Sequence, residues 1–233
     1  MSAPGISRAE RFEDEKRRII DSCFSKRDDD GSVLETYITH LRILEFSSHP
    51  TSPPPPQAKT SQSEKPRVII VAVRKSGRVR VHKTKENVNG TFSIGKTWNL
   101  DDLSAIESYT GPNVSPDFRQ WAGDTGFLVT LGKPYYWQAQ TDKEKKFFIA
   151  SLIKIYGKYT GGRVPALSNF DQRELDQTAT ATAISRPSAS SFFLKPTLKR
   201  TVRIRWPRNL RILPNPFAWP YGTKWQLVTV VEA

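Results

Sequence analysis

The sequence predicts an α+β fold, mostly β: a strongly curved antiparallel sheet with one helix before it and one long helix after it. Two helix-start signatures and the segments between them carry this prediction. Ser7 to Glu10 and Thr141 to Glu144 each place a hydroxyl three residues before a carboxylate, the pattern in which side chains satisfy the free amides of a first helical turn. Between them lie short segments of alternating or continuous apolar character, separated by turn residues. The length of 233 residues fits one domain with tails, and the hydrophobic fraction of 37% leaves part of the chain unpacked.

Taken in order, the first helix starts at Ser7 and carries Phe12, Ile19, Ile20, Cys23 and Phe24 on one face. It ends before Asp28-Asp29-Asp30-Gly31, where Gly31 permits a left-handed exit. Val33–Phe46 alternates and is rich in β-branched residues, so it reads as a strand. Residues 47–66 form a loop with four consecutive prolines, Pro53 to Pro56, too long for an ordinary connection and so either mobile or functional. Arg67–Lys75, Arg78–Lys85 and Thr91–Leu100 read as a three-stranded meander, joined at Ser76-Gly77 and at Asn89-Gly90. Asp101–Tyr109 reads as a short helical or turn segment, and Pro112, Pro116 and Gly123 punctuate a loop. Gly126–Leu131 and Pro134–Gln140 form a further hairpin about Gly132. The last helix follows Thr141, buries a stripe of Phe147, Phe148, Leu152, Ile155, Tyr156 and Tyr159, and ends at Gly161-Gly162. The count is six or seven strands, with the last helix plugging the open sheet.

No run approaches the roughly 18 apolar residues of a membrane span, the longest being Val68–Val73. Residues 1–10 lack the apolar core of a secretory leader. One cysteine, Cys23, excludes an internal disulfide and a thiolate zinc site; it reads as a small buried hydrophobe in a reducing compartment. His40, His49 and His82 are isolated along the sequence, and no nucleophile, metal or phosphate-loop motif is present. Asp28-Asp29-Asp30-Gly31 lacks the closing glutamate of a calcium loop and reads as a solvated helix end. The expectation is a protein that is not an enzyme and needs no cofactor.

The net charge of +13 is concentrated in two windows. Arg67–Lys96 holds eight basic residues against Glu86, and Thr178–Ala233 holds nine against Glu232, while the rest of the chain is slightly acidic. In the first window Arg74, Lys75, Arg78, Arg80, Lys83 and Lys96 gather on one hairpin and its neighbour, and such crowding of like charges costs stability unless an anion is bound. They are the candidate binding residues. Five such residues at an anionic bilayer supply about 5 kcal/mol, a weak reversible contact. A basic nucleic-acid-binding domain is the alternative. It needs exposed rings beside the charges, and the nearest, Phe92 and Trp98, are expected in the core, so no nucleic acid is expected.

The segments ETYITHLRILE, KPRVIIVAVRKSGRVRVHKTKENVNGTFSIGKTWNLDDLSAIES and KPYYWQAQTDKEKKFFIASLIKIYGKYTGGRVPAL resemble the N-terminal phosphoinositide-binding domain of the exocyst component Sec three, in its fungal form. The resemblance runs from about Arg8 to Asp176. It implies a pleckstrin-homology (PH)-like barrel with an added N-terminal helix. It implies binding of phosphatidylinositol bisphosphate on the inner face of the plasma membrane, a Rho-family small GTPase as partner, and a place in vesicle tethering and polarised exocytosis. It maps lipid contacts to Arg74, Lys75, Arg78, Lys83 and Lys96, and puts the first helix near the GTPase surface. Residues 177–233, basic and rich in Pro and Trp, do not resemble the family. The helical rod through which members join the other exocyst subunits is absent here, so those partners are not expected. Residues 1–6 and 177–233 are expected to be disordered, leaving residues 7–176 as the domain.

Overall fold

The computed structural model describes residues 7–176; the expectations for residues 1–6 and 177–233 lie outside that range. Helix α1 (Arg8–Cys23) starts as expected: Ser7 Oγ accepts from the Glu10 amide at 3.2 Å and the Glu10 carboxylate accepts from the Ser7 amide at 2.8 Å. Strands β1 (Glu35–Phe46), β2 (Glu64–Arg74), β3 (Val79–Glu86) and β4 (Phe92–Asn99) form an antiparallel meander. Strands β5 (Leu103–Ser108), β6 (Gly126–Leu131) and β7 (Lys133–Ala139) form a second one, joined to the first where β7 pairs β1. Helix α2 (Pro116–Ala122) lies between β5 and β6, and α3 (Asp142–Tyr159) follows β7. A short β8 (Ala166–Ser168) pairs parallel with β5. The sheet order is β4-β3-β2-β1-β7-β6-β5-β8, so β4 and β8 are edges and the curved sheet is not closed.

Strand β2 organises this fold. Val68 to Ala72 are all buried, and successive side chains face opposite ways. Ile69 and Val71 join the main core with Leu41, Ile43, Val81, Trp98, Phe127, Trp137 and the α3 residues Phe148, Ile149, Leu152 and Ile153. Val68, Ile70 and Ala72 face the other way, onto Ile19 and Phe24 of α1 and onto Phe92. A bulge in β1 between Tyr37 and Thr39 turns Tyr37 and His40 to the same side, where the Tyr37 hydroxyl meets His40 Nδ1 at 2.6 Å.

Several expectations need correction. Asp101–Tyr109 is not helical or a turn: a 3₁₀ turn at Leu100–Asp102 leads into β5, because Leu103 and Ile106 are needed in the core. The loop before Gly123 contains α2, with Ser115 as its cap and Pro116 at its first position. Among the described residues there are eight strands, against the six or seven expected. The proline loop is ordered: Pro53 and Pro54 are buried, the Pro50 carbonyl accepts from the Tyr136 amide at 2.8 Å, and Lys59 Nζ donates to the Trp121 carbonyl at 2.7 Å. Of the expected α3 stripe, Phe148, Leu152, Ile155, Tyr156 and Tyr159 pack on the core and Phe147 does not. Phe147 is 61% exposed, and Ile149, Ile153 and Lys145 turn inward.

Lys145 is fully buried because Glu174, 2% exposed, reaches it at 2.9 Å from a helical turn at 172–176. The Glu174 carboxylate also accepts from Ser108 at 2.8 Å and from Thr110 at 2.6 Å. With β8, buried Phe170 and the Asn169 carbonyl accepting from the Gly111 amide, this clasps residues 166–176 onto β5. Gly111 is required there, since a Cβ would lie 2.6 Å from the Asn169 backbone. Glu174→Gln leaves Lys145 charged and buried. It is expected to cost about 3–5 kcal/mol in denaturant melts, and Lys145→Met with Glu174→Leu is expected to recover most of that loss.

Helix α1 is held to the sheet by charge as well as by apolar burial. Glu15 reaches Arg42 at 2.8 Å, Arg42 reaches Glu86 at 2.8 Å, and Glu86 reaches Arg18 at 2.7 Å. Burial alone would raise the Glu86 carboxyl, but the hydrogen bonds and charges of Arg18 and Arg42 outweigh it and hold it below its ordinary value. Glu15 is lowered too: the bonds and charges of His40 and Arg42 outweigh its burial. A lowered carboxyl stabilises the fold above the unfolded value of about 4.5, and that stability is lost as pH falls through the lowered value. The thermal midpoint is expected to hold from pH 7 to about 5 and to fall below about pH 4, less steeply in Glu86→Gln.

Candidate functional site

The β2–β3 turn carries Arg74, Lys75 and Arg78, all exposed. Gly77, with φ of 81°, makes this turn possible, and the Arg74 amide donates to the Arg78 carbonyl at 2.8 Å. The turn is not an uncompensated patch. Lys75 pairs with Asp30 and, at 3.4 Å, with Asp28, both from the link between α1 and β1. The Asp30 contact holds the Lys75 ammonium above its ordinary value and the Asp30 carboxyl well below its own. Arg80 lies 3.8 Å from Glu35, which also accepts from His82 Nε2 at 3.0 Å. Arg74 and Arg78 have no ion pair among the described residues.

Lys83 belongs elsewhere. Its ammonium reaches both oxygens of Glu45 at 2.8 and 2.9 Å, near the end of β1 where the proline loop begins. Arg67 Nε lies 3.8 Å from the same carboxylate. Lys96 is the register partner of Lys83 across β3–β4, and Lys65 is the partner of Glu45 across β1–β2. Lys96 Nζ donates to the Tyr135 hydroxyl at 2.7 Å and lies 5.1 Å from the Trp98 ring centre; Lys133, at the β6–β7 turn, lies 5.6 Å from the Tyr135 ring centre. Lys85, exposed near the end of β3, adds a further charge.

The six nominated residues therefore divide. Arg74, Lys75, Arg78 and Arg80 sit toward the β2–β3 turn, and Lys83 and Lys96 at the mouth where β1 ends and β2 begins. From Arg67 to Arg74, seven residues of strand span about 23 Å, well beyond a screening length of about 8 Å. The expectation of like charges crowded together is corrected by Asp28, Asp30, Glu35 and Glu45, whose carboxylates answer three of the six cations, Lys75, Arg80 and Lys83. The mouth also gathers Lys65, Arg67, Lys85 and Lys133, which sequence reasoning did not nominate. Lys65-Pro66-Arg67 at a loop-to-strand junction was a readable signal, whereas Lys133 arrives only through the β6–β7 pairing.

The mouth is electropositive by its effect on a neighbour. Burial would raise the Tyr135 phenol, yet hydrogen bonds from Lys96 and Trp98 and the charges of Lys96 and Lys133 bring it below its ordinary value. The rings beside these cations are packed: Phe92, Trp98 and Tyr135 are buried, so they offer no faces for base stacking.

Two histidines expected to be isolated are not. His82 joins Thr97, at 2.8 Å, to Glu35; His40 lies 3.6 Å from Glu15 and stacks on Phe12, with ring centres 4.5 Å apart. Both are buried under α1 and serve packing. Cys23 is half-buried, its thiol pushed up to about 11 by burial. Among the described residues no group of His, Cys, Asp and Glu could hold a metal ion, and no helix is long and apolar enough to cross a membrane.

Residues 62–158 match the family model described as exocyst complex component SEC3 N-terminal PIP2 binding PH. That span of the chain is similar to the SEC3 PH family. The matched span runs from the end of the proline loop through β2 to β7 and nearly all of α3, and contains every cation of the mouth. No curated protein matches the chain. Outside the matched span, β1 pairs with β2, β8 pairs with β5, and α1 packs on the sheet.

Lys96→Met removes the largest lowering influence on Tyr135 while leaving it buried. Its phenol pKa is expected to rise, measured by NMR titration of tyrosines labelled at the ring carbon that bears the hydroxyl.

Proposed function

We propose that this chain is a peripheral membrane-targeting module, without enzymatic activity, that binds bisphosphorylated phosphoinositide headgroups at the mouth formed by Lys65, Arg67, Lys83, Lys85, Lys96 and Lys133. The convergence of these six cations, all within the span matched by the SEC3 PIP2-binding PH model, carries the proposal. Phosphate oxygens accept several charge-assisted hydrogen bonds at once, and Lys and Arg from three strands and a turn suit a compact polyanion. Against a bilayer each engaged basic residue adds about 1 kcal/mol, so the mouth gives a weak, reversible contact.

The finer roles follow the same family reading: recruitment to the inner face of the plasma membrane, vesicle tethering, and contact with a Rho-family GTPase. A groove beside α1, lined by Ile20, Phe24, Val33 and Tyr37, is the surface we assign to a protein partner. Arg74, about 23 Å along β2 from Arg67, and Arg78, about 17 Å along β3 from Lys83, are left out of the headgroup contact.

The test is cosedimentation with vesicles containing phosphatidylinositol bisphosphate. Lys83→Ala with Lys96→Ala is expected to weaken binding more than about tenfold, the loss of two charge-assisted contacts. Arg74→Ala with Arg78→Ala is expected to weaken it less than about threefold, since these charges lie beyond the screening length. The reverse ranking would move the site to the turn. Equal binding of a single-stranded oligonucleotide would favour the nucleic-acid reading.

A further inference from the structure

We infer that Glu45 is an internal occupant of the headgroup site, an anion of the protein's own that a lipid phosphate must displace. The inference rests on the proposed reading of the mouth. Both Glu45 oxygens engage the Lys83 ammonium, at 2.8 and 2.9 Å, and Arg67 Nε stands 3.8 Å away. Lys65 is Glu45's register partner, and Lys96 is the partner of Lys83. One carboxylate is thus engaged by two cations, with two more at paired positions of neighbouring strands. It takes the position and the donors that a phosphate oxygen would require.

The other carboxylates tied to cations at sheet interfaces hold the fold together. Glu15 and Glu86 fasten α1, and Glu174 fastens the clasp. Glu45 fastens no second layer. Its partners lie on neighbouring strands of the same sheet and are part-exposed. Its role is to relieve the repulsion between Lys83 and Lys96, which face each other directly across β3–β4. A bound headgroup supplies the same relief with more charge, and Glu45 becomes superfluous.

Such an occupant has a defined thermodynamic signature. The site is competent only while Glu45 is displaced, so apparent affinity is reduced by the competent fraction, by the same factor for every headgroup. A carboxylate acting only through its long-range field behaves differently: its penalty grows with ligand charge and disappears in salt.

Glu45→Gln and Glu45→Ala separate these cases. Binding is measured to vesicles carrying a monophosphorylated or a bisphosphorylated phosphoinositide, at about 0.1 M salt and at severalfold higher salt. Both variants are expected to bind both lipids about three- to tenfold more tightly, by one common factor that persists in salt. A gain that increases with headgroup charge and is lost in salt overturns the inference, as does no gain. The parallel Lys83→Ala, Lys96→Ala variant separates the two levels. If it loses binding while Glu45→Gln is neutral, the occupant alone is wrong. If it binds like the parent protein, the headgroup site and its occupant both fall.

Discussion

Burial of both faces of β2 is the constraint on which the rest depends. Five consecutive residues, Val68 to Ala72, have no solvent-facing side, so the sheet needs a layer on each face. Helix α3 supplies one layer and α1 the other. Without α1, Val68, Ile70 and Ala72 would face water, together with the buried histidines His40 and His82. The N-terminal helix is thus an integral layer of the domain, although it lies outside the span that matches the SEC3 family.

The same constraint sorts the charge. A strand buried on both faces accepts cations only at its ends, and β2 carries Lys65 and Arg67 at one end and Arg74 at the other. The paired strands extend this division, so one basic window in sequence becomes two clusters in space. Each is balanced by carboxylates distant in sequence: Asp28 and Asp30 meet Lys75, and Glu45 meets Lys83. A bilayer approaching the mouth therefore senses only part of the basic window.

Much of the fold was legible because its signals are local. Ser7 with Glu10, Thr141 with Glu144, Ser76-Gly77 and Asn89-Gly90 mark helix starts and turns by chemistry confined to a few residues. What was missed depends on tertiary burial. Leu103 and Ile106 become strand residues because the core requires them, and three residues at Ala166–Ser168 become a strand only by pairing with β5. On α3 most of the expected stripe packs on the core, but Lys145 turns inward to meet Glu174 and Phe147 stays outside; no periodicity count anticipates a buried lysine. The site was legible as a basic window and illegible as a geometry. Pairing Lys83 with Glu45, 38 residues earlier, requires knowing the register of β1, β2 and β3.

The position of the mouth explains how a weak site can remain specific. It forms where β1 ends and β2 begins, and the proline loop that joins them is tied to β7 by the Pro50 carbonyl, which accepts from the Tyr136 amide. Lys83 and Arg67 are held half-buried by Glu45, and Lys96 is fixed by Tyr135 and Trp98. These side chains are already placed, so little rotamer entropy remains to be lost on binding. The cost falls instead on separating Lys83 from Glu45. Under the proposed reading that step is common to every headgroup that enters the site, whereas the diffuse charge of an anionic membrane acts without entering it. Lys65, Lys85 and Lys133 are exposed and without an ion pair among the described residues, so they remain free to respond to that diffuse field. Under the proposed function, the mouth joins an inner set of placed cations to an outer exposed set that draws the domain toward an acidic surface.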